Sequence, residues 1–460
     1  MARHTRHPFR PYKPLTMDAK DFERGLSLTD VLTFIEKHES RNYRRYKYLE
    51  GLYAGFYDIY REPENEAWKP DNRLVVNFAR EITDTFCGYA YGLGIGETSE
   101  DEKLNDAIQA FRADNEIKDH ELELAKYFCE CGHAFEYFYQ DEQARTKVVA
   151  VRPTEMFIVY DKAIKRRALF AVRYGHIEED DGGDIIKGEI LTRDYIKTFE
   201  DTNVLEVRDN PYGLIPCVEY IMNEERIGIY EGVAALIESY NHTISEKAND
   251  VDAFAEAYLA VLGAELDEDG LYHIRDNRII NLYGTDNAKD IVVQFLQKPT
   301  ADDTQEHLLD RLEKQIYQKS MVVNLADDTF RSTESGVAMA YKMEQMSNLA
   351  VFTNGKMRKS IMKRYKIFCS LATNSATPEG WKTVQVDFTP NTPHNITEEI
   401  QAARDVEGIV SKETQLKLLH FVEDPKAEQE RMEQEQRALF TDSQALREVF
   451  GVTTNAGTEG

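Results

Sequence analysis

The closest approach to a metal site in this sequence is Cys129-x-Cys131-x-His133. Thiolates and imidazoles are ligands that zinc prefers, but zinc sites usually have a wider cysteine spacing and a second, distant pair of ligands. The sequence contains no second pair at such a spacing. The three residues fall where a predicted helix passes into a predicted strand, so we interpret them as structural residues.

The segment Gly92-x-Gly94-x-Gly96 has the glycine content of a phosphate-binding loop. It follows a predicted helix rather than a strand, lacks the third spaced glycine and leads into acidic residues. We therefore interpret it as a flexible turn. The pattern G-x-x-x-x-G-K-[ST] is absent, so the sequence does not predict an NTP-driven motor of the P-loop type.

Enzyme signatures are incomplete. Both His-Glu pairs, at 38–39 and 120–121, lack the second histidine of H-E-x-x-H, and no G-x-S-x-G occurs. An enzyme is motivated only by Glu136, Asp141 and Glu155, on or beside predicted strands, for which solvation of strand edges is the expected role. We predict no catalytic residue, no metal ligand and no cofactor, and hence no enzyme.

Composition narrows the class of protein. A chain of 460 residues is too long for one core and predicts about three domains, while 42% hydrophobic residues exclude a wholly disordered chain. With 82 acidic against 56 basic residues the net charge is −26, which disfavours tight binding of nucleic acid phosphates. Five cysteines without a repeating spacing favour reduced thiols in a cytoplasmic setting.

Neither a secretory signal nor a membrane span is expected. The N-terminus is basic and proline-rich with no apolar segment behind it, and the most apolar helical stretch, Ala257–Ala264, is far shorter than a membrane span.

The first third of the chain is predicted to be mainly helical. Ser27 and Asp30 give a helix start signal, and a second helix carries Leu74, Phe78, Ile82 and Phe86 at four-residue spacing. The basic and aromatic residues at 41–47 fit either base stacking with phosphate contacts or a solvated helix face with tyrosines packed inward, and we favour the second.

From His133 the periodicity becomes that of strands. Six β-rich runs divided by turn residues predict a meandering antiparallel sheet; they are Ala134–Tyr139, Lys147–Val151, Met156–Tyr160, Ala168–Tyr174, Ile185–Ile196 and Lys197–Val207. The fold class is therefore α+β.

The second half alternates long helices with a small β insertion. Helix is predicted over about 229–262, 304–323 and 335–372, with three short strands, at 271–274, 278–283 and 291–296, between the first two helices. A polar break at 324–334 separates the last two. A strand at 383–388 precedes short helices at 397–408, 412–421 and 425–440.

This order of elements resembles the portal, or head-to-tail connector, proteins of tailed bacteriophages with long tails. Three runs sharpen the resemblance: Asn210-Pro-Tyr-Gly-Leu-Ile-Pro216, the polar residues Asn241, Ser245 and Asn249-Asp250, and Ser335-Gly-Val-Ala338 at the start of the last long helix. Further matches are Asn77 and Gly132-His-Ala-Phe-Glu-Tyr-Phe-Tyr139. Together the similar positions span about residues 27–372.

The resemblance implies a homo-oligomeric ring, a dodecamer, at one vertex of the virion capsid, through which DNA is packaged and later ejected. It also implies a set of partners: double-stranded DNA in the channel, the large terminase subunit, a head–tail adaptor, and the major capsid and scaffolding proteins. No membrane partner is implied, and assembly is expected in the host cytoplasm.

The resemblance maps segment by segment onto a portal-like protomer. Residues 1–26 would be a flexible basic arm, 27–228 the wing, 229–262 and 304–323 the two stem helices and 263–303 the clip. A tunnel loop would follow at 324–334, a long wing helix with its strand at 335–395, and a helical crown with a disordered tail at 396–460.

Three sets of site residues follow from this mapping. The tunnel loop would present to DNA the residues Asn324, Asp327, Asp328, Thr329, Arg331, Ser332, Thr333 and Glu334. The stem carboxylates expected to face the channel in part are Glu238, Glu246, Asp310 and Glu313. The clip would present Asp276, Asn277 and Arg278 to the terminase and the adaptor.

In a portal the net negative charge would have a function, because a channel that repels phosphates lets DNA slide. Two rival interpretations stay open. The first is a structural adaptor or scaffold protein of a virion that has no channel, and oligomeric state distinguishes it from a portal. The second is an enzyme that uses carboxylates of the β-rich region.

Overall fold

The computed structural model describes most of the chain. The described residues are 12–65, 69–178, 184–255, 259–262, 279–282, 292–295, 302–326, 336–392, 396–419 and 428–435, with single residues at 422, 425 and 437. Only the backbone is described within 253–303, within 336–340 and at 398. The chain divides into two compact units, residues 1–325 with 343–391, and residues 326–342 with 392–460.

The first third of the chain is helical, as predicted. Its helices are α1 (Ala19–Glu23), α2 (Leu28–His38), α3 (Arg44–Ala54), α4 (Phe78–Tyr91), α5 (Glu102–Asp114) and α6 (Ile117–Cys131). The predicted start signal is confirmed, because the Ser27 hydroxyl accepts from the Asp30 N–H and the Asp30 carboxylate accepts from the Ser27 N–H. A π-helical turn, Glu39–Tyr43, joins α2 to α3 without a break.

The start of the second predicted helix needs a correction. Leu74 lies in an extended segment, and α4 begins only at Phe78, where the Asn77 side chain accepts from the Arg80 N–H. The capping asparagine sets the helix start, and the four-residue spacing of Leu74 continues the pattern by coincidence.

The β-rich region forms two sheets rather than the single predicted meander. β1 (Leu15–Met17) pairs in parallel with β5 in a six-stranded sheet of order β1-β5-β6-β7-β8-β9. Its other strands form an antiparallel meander: β5 (Met156–Asp161), β6 (Ala168–Glu178), β7 (Asp184–Leu191), β8 (Tyr195–Glu200) and β9 (Asn203–Asp209).

The first two predicted runs belong to a separate three-stranded sheet. β3 (His133–Gln140) pairs with β4 (Thr146–Val151) on one side and with β10 (Cys217–Ile221) on the other. The sequence interpretation missed β10, which follows the turn at 210–216. Because β10 takes one edge of β3 and β4 the other, β3 cannot continue the meander.

Side-chain alternation along β5 explains the layering. Phe157 and Val159 face the α2 residues Val31 and Ile35 in one apolar cluster. Ile158 faces the opposite way and packs with Phe135 and other residues of the three-stranded sheet in a second cluster. Helix, six-stranded sheet and three-stranded sheet therefore form three layers with an apolar core on each side of the middle layer.

The long helical pair differs from the prediction at one end. α7 (Ala234–Ala255) ends seven residues before Leu262, and Leu259–Leu262 form the strand β11. β11 pairs on one side with β12 (Ile279–Leu282) and on the other with β13 (Val292–Phe295), so its backbone groups bond to strands and not along a helix. Two of the three predicted strands are thus confirmed, and the one at 271–274 lies outside the described residues.

The second helix of the pair is α8 (Asp302–Ser320), followed after the break by α9 (Gly336–Phe368). β14 (Val384–Phe388) confirms the predicted strand at 383–388 and pairs with β2 (Ile95–Ser99). The expected flexible turn at the glycines is therefore only partly correct, because Gly94 turns the chain at a φ of 87° while Gly96 is already in β2.

The second unit contains the start of α9 and the C-terminal helices α10 (Ile396–Asp405) and α11 (Lys412–Leu416). Residues 428–435 are also helical. These helices overlap the three short helices predicted for this region, and α10 begins one residue earlier than predicted. Among the described residues no helix has both the length and the apolar character to cross a membrane.

Candidate functional site

The Cys-x-Cys-x-His segment is part of the core. The His133 Nδ1 lies 2.8 Å from a Glu219 carboxylate oxygen, and its Nε2 lies 2.8 Å from the Tyr46 hydroxyl. Burial raises the pKa of the Cys129 and Cys131 thiols and lowers that of His133. No group of three or more metal-ligating side chains is found in the part of the chain that the structure describes. These residues support the structural interpretation.

The basic and aromatic segment at 41–47 also packs inward. Tyr46 is fully buried, which confirms the favoured interpretation for this residue. Arg45 was not expected inside, yet it is 3% exposed and its Nε donates to Glu231 at 2.6 Å. Glu231 lies just before α7, so this ion pair fixes the start of that helix to α3.

The three carboxylates that motivated an enzyme lie in different environments. Asp141 is half-buried and accepts from Arg145 Nε at 2.9 Å, while Glu155 is exposed. The expectation of strand-edge solvation is wrong for Glu136, which is fully buried. Its donors come from α6, β10 and α9, elements distant in sequence, so its position in a β run could not reveal them.

The candidate site is built on α7 and α8, the helices that the resemblance assigns to a stem. Ile237 of α7 and Ile316 of α8 are fully buried, in keeping with the apolar stripes. Phe78 of α4 packs edge-on against Tyr240 and Tyr317, and the Tyr317 hydroxyl donates to Glu81 at 2.7 Å. The two helices are thus held together and onto α4 by aromatic packing.

The charges of this helix pair are mostly acidic. The two helices contain nine acidic and four basic residues. Lys247 pairs with Glu306 across the two helices, and Gln305 donates to Asp250 at 3.4 Å. The remaining carboxylates give the pair an acidic surface.

Two of the four predicted stem carboxylates are exposed and two have partners within the protomer. Glu246 and Asp310 are exposed. Glu238 is half-buried and accepts from the Asp58 N–H at 3.4 Å, and burial with the Asp58 charge raises its pKa to about 7. Glu313 accepts from the Asn324 side chain at 2.9 Å.

Most residues predicted for the loop and the clip lie outside the described residues. These are Asp327, Asp328, Thr329, Arg331, Ser332, Thr333 and Glu334, together with Asp276, Asn277 and Arg278. Asn324 is described, and its bond to Glu313 ties the beginning of the break to the last turns of α8.

A ladder of side chains on α7 holds the extended segment 72–76, which we call the strap. The N–H groups of Asn72, Leu74 and Val76 donate to side-chain oxygens of α7. In the same order, their acceptors and distances are Asn249 at 2.6 Å, Ser245 at 2.9 Å and Asn241 at 2.8 Å. The strap therefore runs antiparallel to α7.

The strap explains polar residues that the sequence analysis noted but gave no role. Asn241 and Ser245 are buried, at 0% and 2% exposure, on a helix face that would otherwise be apolar. Buried polar side chains need partners, and here the partners are the backbone N–H groups of the strap. Polar residues at i, i+4 and i+8 on a buried helix face are the signal that could have predicted it.

The profile of the family described as "Phage portal protein, SPP1 Gp6-like" matches residues 32–439. The portal protein of Bacillus phage SPP1 is 22% identical over 406 residues, which cover 83% of this chain and 79% of that protein.

Two solved structures are also similar. The neck of a native GTA particle computed with C12 symmetry has a TM-score of 0.40 at 11% identity, covering 74% of this chain and 88% of that chain. The virion of a native gene transfer agent has a TM-score of 0.39 at 10% identity, covering 80% and 98%. Neither TM-score reaches 0.5.

Proposed function

The chain belongs to the SPP1 Gp6-like family of phage portal proteins, and from that membership we propose that it forms a ring-shaped channel at one capsid vertex. The observation that carries the proposal is the family match over residues 32–439. A portal protein is a structural component of the virion and not an enzyme, which confirms the prediction that this chain is not one.

We propose the following division of the protomer. Residues 27–228 form the wing, α7 and α8 form the stem at about 229–262 and 304–323, and 263–303 form the clip, which β11 joins by its pairing with β12 and β13. The break at 324–334 is the tunnel loop, 335–395 contain the long wing helix, and 396–460 form the crown. The order of the observed elements supports this division, with three short strands between α7 and α8 and a long helix after the break.

We further propose a ring of twelve copies with double-stranded DNA in its channel. The clip would dock the large terminase subunit during packaging and the head–tail adaptor afterwards. The wing and crown would contact major capsid and scaffolding proteins. The vertex location and assembly in the host cytoplasm belong to the same proposal.

The acidic stem gives the channel a physical mechanism. A unit charge 4 Å from a phosphate interacts with it by about 1 kcal/mol even at the dielectric constant of water, so a basic wall would hold DNA at every step. An acidic wall repels the phosphates and leaves no such traps. Among the predicted stem residues Glu246 and Asp310 are suited to this role because they are exposed.

Charge reversal tests the role of the stem. We expect the double variant Glu246→Lys with Asp310→Lys to assemble as the parent protein does and to lower the amount of DNA packaged into particles. The matched control is Glu142→Lys with Glu155→Lys, which reverses two exposed carboxylates of the proposed wing. Equal packaging by the stem variant and the control would contradict an acidic channel lined by these two residues.

A further inference from the structure

Arg364 of α9 is fully buried among three carboxylates from three different elements. Its Nη1 donates to Glu97 of β2 at 3.1 Å and to Glu121 of α6 at 2.5 Å. Its Nε donates to Glu136 of β3 at 2.9 Å. All three carboxylates are at most 2% exposed. One side chain of the long helix thus joins β2, α6 and β3.

Other groups around these carboxylates are distributed unevenly. Arg112 of α5 and the Tyr365 hydroxyl donate to Glu97, the hydroxyl at 2.6 Å. The Tyr220 hydroxyl of β10 donates to Glu136 at 2.8 Å, and His120 Nε2 lies 2.8 Å from the same carboxylate. We call these residues the Arg364 cluster; its members are Glu97, Arg112, His120, Glu121, Glu136, Tyr220, Arg364 and Tyr365.

Glu121 has the fewest partners of the three. Its Oε1 accepts from Arg364, and its Oε2 is buried with no hydrogen-bond partner among the described residues. His120 is its neighbour in sequence but contacts Glu136 instead. The cluster contains three carboxyl groups, two guanidinium groups and the His120 imidazole, which contacts Glu136. The poorly satisfied carboxyl is Glu121.

The pKa values of Glu121 and Glu136 are shifted in opposite directions. Burial, together with the charge of Glu97, raises the pKa of Glu121 well above its usual value, and Arg364 offsets this only in part. Burial also acts to raise the pKa of Glu136, but the Arg364 charge and the bond from His120 outweigh it and hold that pKa at about 2. Glu136 is the ionised partner of Arg364.

We propose that Glu121 is a neutral carboxylic acid in the folded protein, and that its single proton balances the charge of the Arg364 cluster. The carbonyl oxygen of the neutral acid accepts from Arg364. The joint between the long helix and the elements β2, α6 and β3 then depends on one titratable proton.

The consequence is a joint that weakens at alkaline pH. Glu121 has a folded-state pKa above its unfolded value, so the stability it contributes is present at low pH and is lost as pH rises through the folded-state pKa. Loss of the proton leaves an uncompensated charge buried beside Glu97, which is costly in a low-dielectric interior. The pH dependence from Glu136 is the opposite: its contribution to stability is lost at low pH, because protonating it would remove the counter-charge of Arg364.

Two isosteric variants of the full-length protein separate the glutamates. Glu121→Gln replaces one neutral group by another, so we expect the melting temperature at pH 7 to change by less than about 2 °C. Glu136→Gln removes an ionised partner of a buried guanidinium, and we expect a fall of about 5 °C or more. As pH rises through the raised pKa of Glu121, the parent protein should lose stability that the Glu121→Gln variant retains.

Infrared difference spectroscopy detects the proton directly. At pH 7 the parent spectrum minus that of Glu121→Gln should contain the carbonyl stretch of a protonated carboxylic acid, and the parent minus Glu136→Gln should not. A parent protein without this band in the first difference overturns the proposal. So does a Glu121→Gln variant that unfolds or is destabilised as much as Glu136→Gln, because exchanging neutral groups must be tolerated.

Discussion

At the scale of single residues, burial does not fix the charge of a carboxyl group; its partners do. Glu219 is buried in contact with His133 and Arg226, and hydrogen bonds from both outweigh burial and lower its pKa. Glu238 is only half-buried, but burial and the Asp58 charge outweigh the hydrogen bonds from the Asp58 N–H and Tyr48 and the charge of Arg61, and so raise its pKa. Carboxyl groups of this fold therefore differ in their degree of protonation at neutral pH.

Glu238 predicts a pH dependence near neutrality. Its pKa of about 7 lies above the unfolded value, so its contribution to stability is present at about pH 4.5 and is lost as pH rises through 7. We expect Glu238→Gln to melt at a higher temperature than the parent protein at pH 8, with a smaller difference at pH 5. Thermal melts at the two pH values measure this.

The control for Glu238 is Glu246→Gln, which removes an exposed carboxylate of the same helix. It should show no such change between pH 5 and pH 8. Identical melting profiles for the parent and Glu238→Gln at both pH values would contradict the assignment.

Local sequence predicted single residues well only when their environment was local. The Ser27 and Asp30 cap was predicted because both partners lie within one turn, whereas the environment of Glu136 depends on Arg364, 228 positions along the chain. Cys129 and Cys131 were interpreted as structural residues because no second ligand pair existed, and both are buried free thiols. Partners brought together only by the fold could not be inferred from spacing.

At the scale of elements, the spacing of alternate residues along the strap matches the spacing of every fourth residue along α7. Two residues of extended chain advance about 6.6 Å, and four residues of helix advance about 6 Å, so alternate strap residues meet every fourth residue of the helix. This agreement allows Asn241, Ser245 and Asn249 to bond to three successive inward-facing N–H groups. The strap thus holds the segment before α4 along one face of α7.

Removing one of the three hydrogen bonds between α7 and the strap should destabilise the protein. Asn241→Ala leaves the half-buried N–H of Val76 without its acceptor, and we expect a loss of about 1–3 kcal/mol in the free energy of unfolding. Urea denaturation measures it. Ser239→Ala, at an exposed position of the same helix, should stay within about 0.5 kcal/mol of the parent; equal effects of both variants would show that the ladder contributes nothing.

The break between α8 and α9 predicts a separation of assembly from packaging. Shortening residues 324–334 should impair DNA packaging and leave ring assembly intact, because we propose that the subunits contact one another mainly through apolar faces of the long helices. Particle counts report assembly, and nuclease-protected DNA per particle reports packaging. Packaging at the parent level in a shortened variant would count against the tunnel-loop assignment.

Element types were easier to predict than their ends and their pairing. The helix over α7 followed from its apolar stripe, but the stripe continued through Leu259 and Leu262, which pair as a strand. β2 and β10 were missed because each is five residues long and is completed by a partner elsewhere in the chain. Local pattern does not contain that information.

At the scale of the whole molecule, a net charge of −26 per chain means that neighbouring copies repel. Assembly of a ring must then come mainly from apolar surface buried between subunits, with charges at the rim contributing little. Exposed apolar side chains are available in the six-stranded sheet and in α9, including Leu205 at 59% and Phe352 at 75% exposure. Salt should favour assembly because it screens the repulsion.

The most direct test of the central claim is negative-stain electron microscopy of the purified protein. A portal protein that forms a channel predicts end-on particles with rotational symmetry and a central hole. Compact particles without a hole, at a concentration at which a ring should persist, would contradict the channel. They would leave membership in the family intact and favour a structural protein of the virion that acts without an axial passage.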